Sequence, residues 1–139
     1  MAKHITQKIT FKKTKPKALF ELYMNGKKHA LIAGSPVTIS SKAGLAFSSH
    51  GGYITGKTVH TVKDKIIVQT WRGMDWIPED PDSIFTIVLE PSGKDTILHV
   101  IHSGVPDSKV EGIKKGWFNH YWKPWKQHLA GKKITRPVM

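Results

Sequence analysis

The chain has no cysteine, so neither a disulfide framework nor a thiolate metal site can form. Long hydrophobic runs are also missing: no stretch approaches the roughly 18 apolar residues of a membrane helix. The opening Met1-Ala2-Lys3-His4-Ile5 lacks the apolar core of a secretion signal, so the expectation is a soluble cytoplasmic protein with no membrane partner. Arginine is scarce, with 2 against 20 lysines. That argues against nucleic acid as a partner, because base and bidentate phosphate readout favour arginine's planar fork. No His-Glu-x-x-His spacing occurs, and His99 and His102, three apart on a strand, point to opposite faces, so no metal or other cofactor is expected. Ser35, Ser48 and Ser103 lack a nucleophile-elbow frame, and the glycine spacing of a phosphate loop is absent. No catalytic group is identified.

What is present is one domain's worth of chain, 139 residues with 39% hydrophobic content and a net charge of +12. The charge is uneven. Residues 1–35 carry +7 and residues 107–139 carry +6, whereas 36–106 carry −1. A lysine surface at the two ends can attract an acidic partner.

Residues 4–12 alternate, with Ile5, Ile9 and Phe11 on one side, as in a half-buried strand. Thr14 as N-cap and Pro16 in the first turn predict a helix with a Leu19, Phe20, Leu22 and Tyr23 stripe, ending at Asn25-Gly26. A second short helix covers 29–33. Then come candidate strands at 37–41, 45–49, 53–62, 65–74, 83–90 and 96–102, whose tight turns favour antiparallel pairing. Asp75 to Asp82 reads as a solvated acidic loop. Ser108-x-x-Glu111 predicts a capped C-terminal helix, with Val110, Ile113, Trp117, Tyr121, Trp125 and His128 on its apolar half and a kink at Pro124. Gly131 ends it. Residues 1–131 are thus expected to form a single domain and 132–139 a basic tail. The class is α+β: a curved antiparallel sheet of six or seven strands, two short helices and a long C-terminal helix that closes a groove against the sheet.

Specific residues carry a resemblance over about residues 4–130. They are Ile9-Thr10-Phe11, Leu19-Phe20-Glu21-Leu22, Gly51-Gly52-Tyr53-Ile54-Thr55-Gly56, Ile67-Val68-Gln69-Thr70-Trp71-Arg72 with Trp76, Ser83-Ile84-Phe85-Thr86-Ile87, Thr96–His102, Gly104-Val105-Pro106, Glu111-Gly112, Gly116-Trp117, Tyr121 and Trp125-Lys126. In these the chain resembles the START-like helix-grip superfamily (SRPBCC), and within it the C-terminal domain of activators of the heat-shock-protein-90 ATPase. The resemblance implies a sheet wrapped around the last helix and a binding role, with an apolar small molecule or a chaperone as partner. The Asn-x-Asn-x-Trp-His-Trp motif of the activators' additional N-terminal domain does not occur here, so the resemblance implies the domain alone. Some helix-grip relatives catalyse cyclisation or dehydration in their cavity, which makes an enzyme of that kind a further alternative.

The expected pocket lining is Trp71, His102, Trp117 and Tyr121. Leu98, Val100 and His102 share one face of their strand, and if that face is the concave one His102 sits near the pocket mouth.

Overall fold

A computed structural model describes residues 2–135. Six antiparallel strands form one sheet: β1 (Ala2–Phe11), β2 (Ala46–Ser49), β3 (Ile54–Val62), β4 (Ile66–Gly73), β5 (Ser83–Ser92) and β6 (Asp95–Pro106). Their spatial order is β1-β6-β5-β4-β3-β2. Consecutive strands β2 to β6 pair through short connections, and β1 closes the far edge against β6. Two short helices, α1 (Pro16–Met24) and α2 (Gly26–Ala33), follow β1. The chain finishes in α3 (Val110–Trp117), a π-helical turn (Phe118–Trp122) and α4 (Lys123–Leu129), which run on as one C-terminal helix. This is the helix-grip architecture expected from the sequence.

Strand alternation decides the core. Ile67, Gln69 and Trp71 of β4, Phe85, Ile87 and Leu89 of β5, and Leu98, Val100 and His102 of β6 are all buried. They face Leu19, Phe20, Leu22 and Tyr23 of α1 and Trp117, Tyr121, Trp122 and Trp125 of the C-terminal helix. Trp117 is the keystone of this packing. Its ring stacks on Phe85 at 4.2 Å between centroids and on Trp122 at 5.6 Å.

Four local expectations are corrected. Residues 37–41 form only a bridge from Thr38 to Ser48, because the carbonyls of Ser40 and Ser41 accept from the hydroxyls of Thr58 and Thr61 instead of a ladder. Thr14 does not cap α1; Lys15 holds that position, and the buried Thr14 donates its hydroxyl to the Lys12 carbonyl. Ser108 caps nothing, since Asp107–Lys109 form a 3₁₀ turn and α3 starts at Val110. His128 is exposed, whereas Trp122 and Pro124 are buried. The π turn explains this last difference: Lys123 N–H reaches back five residues to the Phe118 carbonyl, which adds a residue to the turn and rotates the rest of the helix about its axis. It lies directly before Pro124, whose missing N–H is absorbed there. Beyond Gly131, Ile134 packs against the core and Thr135 bonds the Gln127 side chain. Residues 136–139 of the expected tail lie outside the described residues.

Candidate functional site

A cleft of about 740 Å³ opens between the sheet and the C-terminal helix. Trp71, Trp76, Ile54 and Ile113 give it apolar walls, with Trp117 and Tyr121 on the helix side. Two helix glycines also face it, Gly112 and Gly116, one turn apart. A Cβ added at Gly112 would meet no atom within 4 Å, so tight packing does not require glycine there. Its effect is to leave space.

Three of the four expected lining residues meet at this cleft. His102 does not. It is fully buried behind the wall, its ring 4.7 Å from Trp71 and 6.0 Å from Trp117. Both of its nitrogens are engaged. Trp117 Nε1–H donates to His102 Nδ1 at 3.2 Å, which leaves Nε2 to carry the proton. Nε2–H then donates to Ser83 Oγ at 2.8 Å, and Ser83 donates its own proton to the Trp71 carbonyl at 2.6 Å. Burial lowers the His102 pKa to about 3, so the ring is neutral and acts as a spacer joining the two tryptophan-bearing elements.

A second polar chain reaches the cleft itself. His29 Nδ1–H donates to the Tyr23 carbonyl at 2.8 Å, so its Nε2 accepts from the Tyr121 hydroxyl at 2.7 Å. Burial lowers the His29 pKa to about 4, which keeps this acceptor neutral. Tyr121 Oη also lies 3.3 Å from Nε2 of His50, and the ring of His50 stands 5.4 Å from that of His120. His50 and His120 line the cleft, and burial lowers both pKa values. Deeper in the core, the Tyr23 hydroxyl donates to Gln69 Oε1 at 2.7 Å.

At the mouth, Lys109 Nζ pairs with Asp75 Oδ2 at 2.8 Å, and the Tyr53 hydroxyl donates to Asp75 Oδ1 at 2.7 Å. The Lys109 hydrogen bond, then that of Tyr53, holds the Asp75 carboxyl below its ordinary pKa. The loop that carries Asp75 is fixed by Arg72, which donates to the carbonyls of Ile77 and Asp80 and stands over the Trp76 ring. It is therefore a built wall of the cleft more than a free acidic turn. Sequence reading missed His50, His120, Tyr53, Asp75 and Trp76 as lining residues. One signal existed: His120 follows Trp117 by three residues, which places it beside that ring on a helix. Among the described residues no cluster of three metal-ligating side chains occurs, and no helix is long and apolar enough to cross a membrane.

An antiparallel sheet gripping a long C-terminal helix, with an aromatic cleft between them, defines a START-like helix-grip domain. Within that class, the family model described as "Activator of Hsp90 ATPase homolog 1-like protein" matches residues 13–130, and the chain belongs to that family. Among curated proteins it is 29% identical over 103 residues to an "Activator of 90 kDa heat shock protein ATPase homolog" of Dictyostelium discoideum, covering 73% of this chain and 27% of the relative. It is 28% identical over 89 residues to "Activator of 90 kDa heat shock protein ATPase homolog 2" of Mus musculus, covering 64% of this chain and 27% of that one. The chain thus spans about a quarter of the length of these relatives. The solved structure of an HSP90 activator from Plasmodium falciparum superposes with a TM-score of 0.81 at 23% identity, over 97% of this chain and 99% of that one.

Proposed function

We propose that this protein binds an apolar small molecule between the sheet and the C-terminal helix, with Trp71, Trp117 and Tyr121 as contact residues and His102 bracing the wall from behind. One observation carries the reading: a cleft of about 740 Å³, within the usual range for ligand sites, with Trp71, Trp76, Trp117, Ile54 and Ile113 among its walls. The glycines at 112 and 116 support it, because glycine weakens a helix interior by about 1 kcal/mol and here leaves volume facing the cleft. The test is titration with N-phenyl-1-naphthylamine, a neutral apolar fluorophore. Saturable one-site binding is expected, with quenched tryptophan emission, and Gly116→Leu should abolish it. Absence of saturable binding would overturn the reading.

A second reading is a protein-interaction module for the heat-shock-90 chaperone. It is favoured by the family and by the names of the two curated relatives. The lysine-rich ends of the chain are the surface such a partner would meet. Titration against the purified chaperone at low and moderate salt separates the outcomes: a salt-sensitive complex supports it, and no complex at either salt ends it.

A further inference from the structure

One part of the cleft wall carries chemistry that an apolar ligand does not use. His50 has φ of 52°, in the left-handed region where a non-glycine residue stores on the order of 1–3 kcal/mol. It opens the 3₁₀ turn His50–Gly52, in which Gly51 and Gly52 also have positive φ. This strained turn carries the imidazole across to the C-terminal helix, where it meets His120 and Tyr121. The proton of the Tyr121 hydroxyl is committed to His29, so His50 Nε2 bears the hydrogen toward Tyr121 and Nδ1 is left as a lone pair. Among the described residues, no group hydrogen-bonds that Nδ1 or either nitrogen of His120.

The surrounding charges leave the pair uncompensated. Of the residues lining the cleft only Asp75 and Lys109 carry charge, and they neutralise each other. The titratable neighbours are Tyr53, bonded to Asp75, and Tyr121 with His29 behind it. Burial lowers both imidazole pKa values, and the proximity of His120 lowers that of His50 further. Both shifts favour the neutral rings, one offering a lone pair and the other a lone pair and an N–H.

We infer that the His50–His120 pair is the polar anchor of the cleft and takes the carboxyl group of an apolar acid. The inference rests on the cleft being a ligand site. An acceptor beside a donor matches the O–H and C=O of a carboxyl group. An arriving carboxylate also supplies the negative charge that stabilises one imidazolium, so binding takes up a proton from solvent. An ammonium would oppose that protonation and add to a chain already at +12. A neutral amide matches the hydrogen bonds without the charge.

The experiment displaces N-phenyl-1-naphthylamine with 2-naphthoic acid, naphthalene-2-carboxamide and 2-naphthylmethylamine. At about pH 6, near the imidazole range, the acid should bind roughly tenfold tighter than the amide, the size of one charge-assisted hydrogen bond. Its affinity should fall as pH rises, because the proton it recruits becomes harder to take up. His50→Asn, which keeps a side chain tolerated at positive φ, and His120→Gln should each erase the acid-to-amide ratio measured within the same folded variant. Equal affinities in the wild-type protein, or a ratio kept in both variants, overturns the anchor while leaving cleft binding intact. If the fluorophore does not bind the wild-type protein saturably, the cleft reading falls and the anchor with it.

Discussion

His102 and His29 lie fully inside the protein as neutral rings, each with both nitrogens bonded. Their folded pKa values, about 3 and about 4, sit below the ordinary imidazole value. Below about pH 6.5 the unfolded chain therefore binds more protons than the native one, and stability falls as pH drops toward the folded values. Each ring contributes a slope of at most about 1.4 kcal/mol per pH unit in that window. Urea unfolding between about pH 7 and about pH 4.5 should show this loss, and His102→Asn should flatten it by one proton's worth; an unchanged slope would count against a neutral buried ring. Trp117, stacked between Phe85 and Trp122, is a separate matter of packing. Trp117→Ala should cost about 3–5 kcal/mol at neutral pH, read as a shift in the denaturation midpoint. Sequence periodicity put His102 on one strand face with Leu98 and Val100, and Trp117 on the apolar half of its helix. It did not separate a residue that lines a cleft from one sealed behind it, because strand period fixes the face and not the depth.

At the scale of elements, the C-terminal helix has two tasks. Its tryptophans close the core, while Gly112 and Gly116 keep space open beside them. Gly112→Ala should stabilise the fold by about 0.5–1 kcal/mol because no atom stands within 4 Å of the new methyl. The same change should weaken fluorophore binding, and a calorimetric melt paired with a titration reads both effects. Gain of stability with no loss of affinity would mean that the glycine is not there for the ligand. Strand β3 offers the opposite case. A Cβ at Gly56 would collide with the Thr70 carbonyl and come within 2.7 Å of Phe47 Cε1. Gly56→Ala should therefore cost about 3 kcal/mol or more, measured by the same melt, since backbone on the neighbouring strand has nowhere to move. The sequence announced the helix by its apolar period but not the π turn, whose extra residue depends on Trp117, Tyr121, Trp122 and Trp125 all finding room in one core.

Over the whole molecule, the fold brings the two basic ends together. β1 pairs with β6, and Gln7 on β1 bonds both the Lys114 carbonyl and Trp122 Nε1 of the C-terminal helix. The lysines of β1 and of the C-terminal helix thus sit on adjacent elements, while the acids of residues 75–82 gather by the cleft mouth, where a neighbouring groove is lined by Asp75, Glu79, Asp80 and Asp107. Should the chaperone complex form, Lys114→Glu with Lys115→Glu should weaken it and reduce its salt dependence, as followed by titration at two ionic strengths. Retention of full affinity would move the contact elsewhere.

The sequence by itself determined the α+β class, six of the seven candidate strands and the final aromatic helix. These follow from periods of two and 3.6 residues and from turn chemistry, which are local. Only the tertiary structure decided which buried groups meet. His50 and His120 are 70 positions apart, and nothing in either neighbourhood predicts a ring pair 5.4 Å apart. The cleft likewise arises from the curvature of six strands around one helix. Its polar corner is a product of distance in space, to which local patterning has no access.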